Sequence, residues 1–144
     1  MSKTLEAQFN DYASFHKTAG NEVCHFIGIP LIVFSLFALL AQWTLLQSGS
    51  VTLLVSDLVL LLALVYYATL DVPLALLMLL AAGLMDVLGR FVPWRVALGL
   101  FVLGWIFQGV GHYRYEKKSP AFTRNFVHLL VGPLWILARA VGRA

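Results

Sequence analysis

Four histidines stand out in this apolar chain: His16, His25, His112 and His128. Neutral imidazole is the commonest metal ligand in proteins and suits iron, zinc and copper. Three or four imidazoles around an open position suit ferrous iron that must also bind oxygen. His16 and His25 lie in "FHKTAGNEVCHFIGIP", nine residues apart. On one unbroken helix they would face nearly opposite ways, so a break at Gly20-Asn21 is expected, aiming both at one point. Gln108, His112 and Glu116 recur every four residues and form one polar stripe on a helix. Glu116 suits either a ligand or an acceptor for the other ring N–H of His112. Gly109 and Gly111 beside the stripe leave room for another helix. Asn125 and His128, three apart, share a face of the last helix.

The elements that must position these groups are membrane elements. Hydrophobic residues make up 60% of the chain and charged residues 12%, and the apolar residues come in long blocks. The expected fold class is all-α. It is one membrane domain over residues 1–144, an integral membrane helix bundle of about four spanning helices. An N-terminal interfacial helix and a C-terminal broken or re-entrant helix complete it. The N-terminal helix covers residues 4–19, with Leu5, Phe9, Tyr12 and His16 on one face, Thr4 as cap and Gly20 as stop. Asn21 is placed to cap the first span, residues 23–46, which contains Pro30. "LLQSGSV" reads as a turn. Further spans follow at 51–70, 72–88 and 96–112, the last continuing as a polar helix to Pro120. Asp71 marks a helix start in a tight hairpin, and Asp86 and Arg90 are spaced to pair. Gly132-Pro133 interrupts the closing "NFVHLLVGPLWILARAVGRA".

An even number of crossings separates the histidines, so all four fall on one face of the membrane. Lys3, Lys17, Arg114, Lys117, Lys118 and Arg124 share that face, and Arg90 and Arg95 oppose it. The positive-inside rule makes the histidine face cytoplasmic. The net charge of +3 is therefore read as topology, and no nucleic-acid partner is expected. The lone Cys24 excludes an intramolecular disulfide and reads as a small buried hydrophobe. Trp94, Trp105 and Trp135 read as interfacial or packing residues. Ala81, Ala82 and Gly83 would allow close packing within a chain or in a homo-oligomer.

Two blocks carry a resemblance. "YASFHKTAGNEVCHFIGIP" and "WIFQGVGHYRYEKKSPAFTRN" resemble the signature blocks of a family of small membrane 2-hydroxy fatty acid dioxygenases, with fungal endoplasmic-reticulum and bacterial members. The closing "GPLWILA" is also similar; the middle spans match only as hydrophobic segments. The resemblance implies an Fe(II)-dependent dioxygenase that uses O2 to shorten a long-chain 2-hydroxy fatty acid by one carbon. It implies metal ligands at His16, His25 and His112, with His128 as a weaker fourth, and catalytic candidates at Glu116, Gln108 and Asn21. It implies a multi-pass protein of a bacterial inner membrane or the endoplasmic reticulum, drawing substrate from membrane lipid. Arg114, Lys117 or Arg124 would steer the substrate carboxylate.

Other readings differ in what they require. A di-iron desaturase needs many more histidines than four. A haem protein needs only two, such as His25 and His112. A membrane scaffold or small transporter without catalytic activity needs no metal at all.

Overall fold

The computed structural model describes residues 1–144, the side chain of Ala121 excepted. Helix α1 (Lys3–Ala13) starts at Ser2, whose hydroxyl accepts from Leu5 N at 3.2 Å. It buries Leu5, Phe9 and Tyr12 at helical spacing. It ends earlier than the expected residue 19. Phe15 N and His16 N bond the carbonyls of Tyr12 and Ala13, tightening the chain out of the helix. The break needed between His16 and His25 therefore falls at residues 14–18, not at Gly20-Asn21.

Helix α2 (Ala19–Leu40) already contains Gly20 and Asn21, so Asn21 is not its cap. It runs through Pro30 and is about 33 Å long, enough for a hydrocarbon core of about 30 Å. Strands β1 (Thr44–Ser48) and β2 (Val51–Leu54) then pair antiparallel, a short hairpin that the sequence reading lacks in an otherwise mostly helical chain. Gly49, at φ +59°, takes the first central position of the two-residue turn, which favours glycine. The hairpin takes residues from both flanking spans. Helix α3 (Val55–Leu70) is left about 24 Å long.

Helix α4 (Val72–Gly89) starts at Asp71, whose carboxylate accepts from Leu74 N at 2.9 Å, as its sequence context predicts. Helix α5 (Trp94–Gly109) continues as a π-helix over Val110–Glu116, which Lys117 ends in a left-handed conformation. After a 3-10 turn (Ala121–Thr123), helix α6 (His128–Ala140) runs unbroken through Pro133, correcting the expected interruption. It is about 20 Å long. Among the described residues, three helices are long and apolar enough to cross a membrane: Ala19–Leu40, Val72–Gly89 and the continuous Trp94–Glu116. Helices α3 and α6 are shorter apolar helices.

Helix α2 packs most extensively on α5 and runs antiparallel to it, Asn21 meeting Gly111 and Gly28 meeting Gly104. That contact is close because glycines face each other. A Cβ on Gly104 would lie 2.9 Å from the Gly28 carbonyl oxygen, and one on Gly28 would lie 2.9 Å from that of Gly104. At one end of the bundle, Arg90 bonds both Asp86 and Asp57 at 2.6 Å, tying α4 to α3. At the other end α1 and α6 lie across the bundle. Gln8 donates to Tyr66 Oη at 3.0 Å, Tyr67 Oη to Leu130 O at 2.8 Å, and Arg139 to Glu22 at 2.8 Å. Asp71 joins this end through Arg143 at 3.1 Å and the Met1 amine at 3.2 Å.

Candidate metal centre

The crossed end holds a partly open cavity of about 220 Å³, and all four histidines line it. His16 comes from the bend after α1, His25 from the second turn of α2, and His112 from the π-helix. These three converge: ligand atoms, one from each, all lie within 4.8 Å of one another. Ring centroids are 4.3 Å apart for His16 and His25, 5.0 Å for His16 and His112, and 4.8 Å for His25 and His112.

The hydrogen bonds fix the protons. His16 Nδ1 lies 2.6 Å from Tyr12 O, and His25 Nδ1 lies 2.9 Å from Asn21 O. A carbonyl only accepts, so both Nδ1 atoms carry hydrogen. The Nε2 atoms then point lone pairs at each other across 3.0 Å. Two neutral rings repel in that arrangement unless a cation or a proton sits between them. Burial lowers the pKa of His16, which disfavours the proton. A metal ion fits. Two nitrogens ~2.1 Å from one ion and at right angles to each other stand ~3.0 Å apart. His112 Nδ1 is buried without a hydrogen-bond partner. A porphyrin sandwiched between His25 and His112 does not fit, because their ring centroids are only 4.8 Å apart.

The remaining expected site residues divide. Gln108 lines the cavity, and its buried Nε2 has no partner. Glu116 does not line the cavity; its carboxylate lies at the start of α2 instead. Its Oε2 accepts from Lys17 N at 3.0 Å, Thr18 N at 3.1 Å, Thr18 Oγ1 at 3.0 Å and Asn21 Nδ2 at 3.3 Å. Thr18, at the N-cap position of α2, makes no side-chain cap, and the Glu116 carboxylate takes the amides of Lys17 and Thr18 just ahead of the helix, where the helix dipole favours negative charge. Asn21 is fully buried and also donates to Phe15 O at 3.1 Å. Asn21 and Glu116 thus brace the bend that carries His16 and the turn that carries His25. Gly111 admits this brace, since a Cβ there would strike Asn21 Oδ1 and lie 3.0 Å from Cys24 Cβ. Gly109 has open space around it.

His128 stands apart from the three. Its Nε2 is 3.0 Å from Asp11 Oδ2, and its buried Nδ1 has no partner. The Tyr12 ring bridges the two groups: it stacks on His16 at 4.1 Å and meets His128 edge-on at 5.7 Å. Trp135 packs beside it, 5.9 Å from His16. Arg124 sits over the Phe15 ring, and neither it, Arg114 nor Lys117 lines the cavity. Asn125 accepts from Val127 N ahead of α6. Asp11 and the approach of Trp135 to the histidines escape sequence reasoning. Both depend on α1 meeting α6, which no local pattern encodes.

Comparison with known proteins agrees with the two signature blocks. The family model described as 2-hydroxy-palmitic acid dioxygenase Mpo1-like matches residues 2–144. The chain is 36% identical over 138 residues to the 2-hydroxy-palmitic acid dioxygenase MPO1 of Saccharomyces cerevisiae, covering 92% of this chain and 77% of the yeast protein. No solved structure matches the chain. By the family model and by this relative, the chain belongs to the 2-hydroxy-palmitic acid dioxygenase Mpo1-like family.

Proposed function

We propose that the protein is an Fe(II)-dependent dioxygenase of the membrane interface that shortens long-chain 2-hydroxy fatty acids by one carbon. One observation carries the metal reading. Two imidazoles, each with Nδ1–H donated to a carbonyl, face each other through Nε2 at 3.0 Å with His112 alongside. The family and the cavity, which sets polar groups at one end and apolar side chains beyond them, support the substrate class.

In this reading His16, His25 and His112 hold the ion. Bound iron(II) supplies the redox chemistry that O2 requires and a Lewis-acid site for a 2-hydroxy acid. The chain supplies the rest. The Tyr12 and Asn21 carbonyls fix two ring tautomers and orientations, which raises ligand basicity. Gln108 Nε2 donates to a substrate oxygen. His128, held by Asp11, offers a second polar group on the facing wall. Tyr12, Trp135 and Ile29 exclude water around the histidines.

The experiment is elemental analysis of detergent-purified protein, wild type beside His112→Ala, followed by O2 uptake with 2-hydroxypalmitate. About one iron per wild-type chain, lost in the variant, together with formation of the shortened acid, is the expected result. No metal in either protein after anaerobic reconstitution with ferrous ion overturns the reading.

A further inference from the structure

The cavity has an order that the metal centre does not explain. On α2, His25, Ile29, Ile32 and Leu36 line it, spaced so that they share one helix face. On α5 and its continuation, His112, Gln108, Trp105 and Phe101 line it with the same spacing, read in the opposite direction. Two antiparallel stripes therefore start together at the histidines and end together at Leu36 and Phe101. Each stripe runs eleven residue steps along its helix, or ~16 Å. Helix α6 closes one side with Leu129, Gly132 and Pro133. Polarity falls along the length: hydrogen-bonding groups crowd the histidine end, and the outer two turns are apolar apart from the indole of Trp105. The groove reaches the outer surface, because Leu36 and Leu129 are exposed.

We infer that this groove is the acyl-chain subsite. It holds one extended hydrocarbon chain parallel to α2 and α5 and admits it sideways from the lipid at Leu36 and Leu129. This rests on the dioxygenase reading for the identity of the head group, but the groove's own geometry specifies an amphiphile with a single straight chain. An extended chain advances ~1.25 Å per carbon, from C–C bonds of ~1.5 Å at tetrahedral angles. The groove therefore holds ~13 carbons beyond the hydroxyl-bearing one, and one helical turn of its wall corresponds to ~4 carbons. Longer chains pass their excess into the bilayer through the open end. Ile29 and Gln108 mark the first turn, Ile32 and Trp105 the second, Leu36 and Phe101 the third. Trp105 is held edge-on between Phe101 at 6.2 Å and Phe122 at 5.4 Å, so its ring gives a fixed reference point.

The test has two arms on the full-length protein in lipid nanodiscs. In the first, 2-hydroxy acids from octanoate to stearate are compared in the wild type, Ile32→Trp and Leu36→Trp. Filling the third turn should lower kcat/KM by ~10-fold or more only for chains that reach it. Filling the second turn should impose the same loss on chains ~4 carbons shorter. A loss that is equal at all lengths, or identical in the two variants, overturns the subsite. In the second arm, fatty acids brominated at successive carbons are added to wild type and to Trp105→Phe. Trp105 lies seven residues from His112, so quenching lost in the variant should peak with bromine ~8 carbons past the hydroxyl carbon. Quenching independent of bromine position overturns the proposal. Position-dependent quenching without O2 uptake by the wild type keeps the groove and removes the dioxygenase reading instead.

Discussion

Glu116 gives the sharpest test of how the site is built. Every hydrogen bond it accepts reaches one oxygen, Oε2, and the donors are two backbone amides, a hydroxyl and a side-chain amide. Glutamine can place its single carbonyl oxygen where Oε2 stands and keep all four. Glu116→Gln then loses only the charge at the start of α2, ~0.3–1 kcal/mol, and part of the charge assistance to the hydrogen bonds. Solvent reaches the Lys17 and Thr18 side, which keeps the total near ~1 kcal/mol, a fivefold effect. Glu116→Ala abandons four donors and frees the bend that carries His16. Its expected cost is ~2–4 kcal/mol of stability and ~10–100-fold in ferrous affinity. The assays are a melting curve, ferrous titration against a competing chelator, and kcat with KM for the same preparations. A positioning residue predicts that Gln stays close to wild type while Ala loses metal first and turnover as a consequence. If Gln is as inactive as Ala while still holding a full complement of metal, Glu116 carries a proton or ligates, and the bracing argument fails.

The other predictions read different parts of the molecule. His128→Ala should retain bound metal while His112→Ala loses it, because the His128 ring is paired with Asp11; loss of metal from both would add His128 to the ligand set. Gly104→Leu should unfold the protein or lower its melting temperature sharply, since even a Cβ there would lie 2.7 Å from Ile32 Cγ1 and 2.9 Å from Gly28 O; an unshifted melting temperature would refute the close α2–α5 contact. The pKa of Asp71 is lowered: burial pushes it up, but bonds from Leu74 N, the Met1 amine and Arg143 outweigh burial. That stabilisation is present above the ordinary carboxylate pKa of ~3.9 and is lost as pH falls through the lowered value. Asp71→Asn should therefore flatten the acid limb of the stability curve, and an unchanged limb would show that Asp71 is not responsible.

What the sequence discloses and what it hides separate along physical lines. Long apolar runs separated by polar breaks are legible, and His16, His25, His112 and His128, expected on one face, line one cavity. The Asp71 cap and the Asp86–Arg90 pair are legible too, because both act within one turn of helix. The hairpin at Thr44–Leu54 is hidden, since its leucines continue the apolar run on either side and only Ser48-Gly49-Ser50 signals a turn. The π-helix is hidden for a subtler reason: composition does not mark the wider turn, in which Glu116 falls short of a full turn from His112. That displacement explains the division of labour between the two signature blocks. The first block supplies His16 and His25 but no side-chain cap for the helix that carries His25. The second supplies His112 and also the carboxylate that holds the chain just ahead of that helix. Neither block makes a complete centre alone, and Gly111 lets them meet by leaving Asn21 the space a Cβ would take. A metal centre joined in this way depends on the α2–α5 contact as much as on its ligands. The same contact lays out the two stripes of the groove, so ligand geometry and chain register are set by one helix pair.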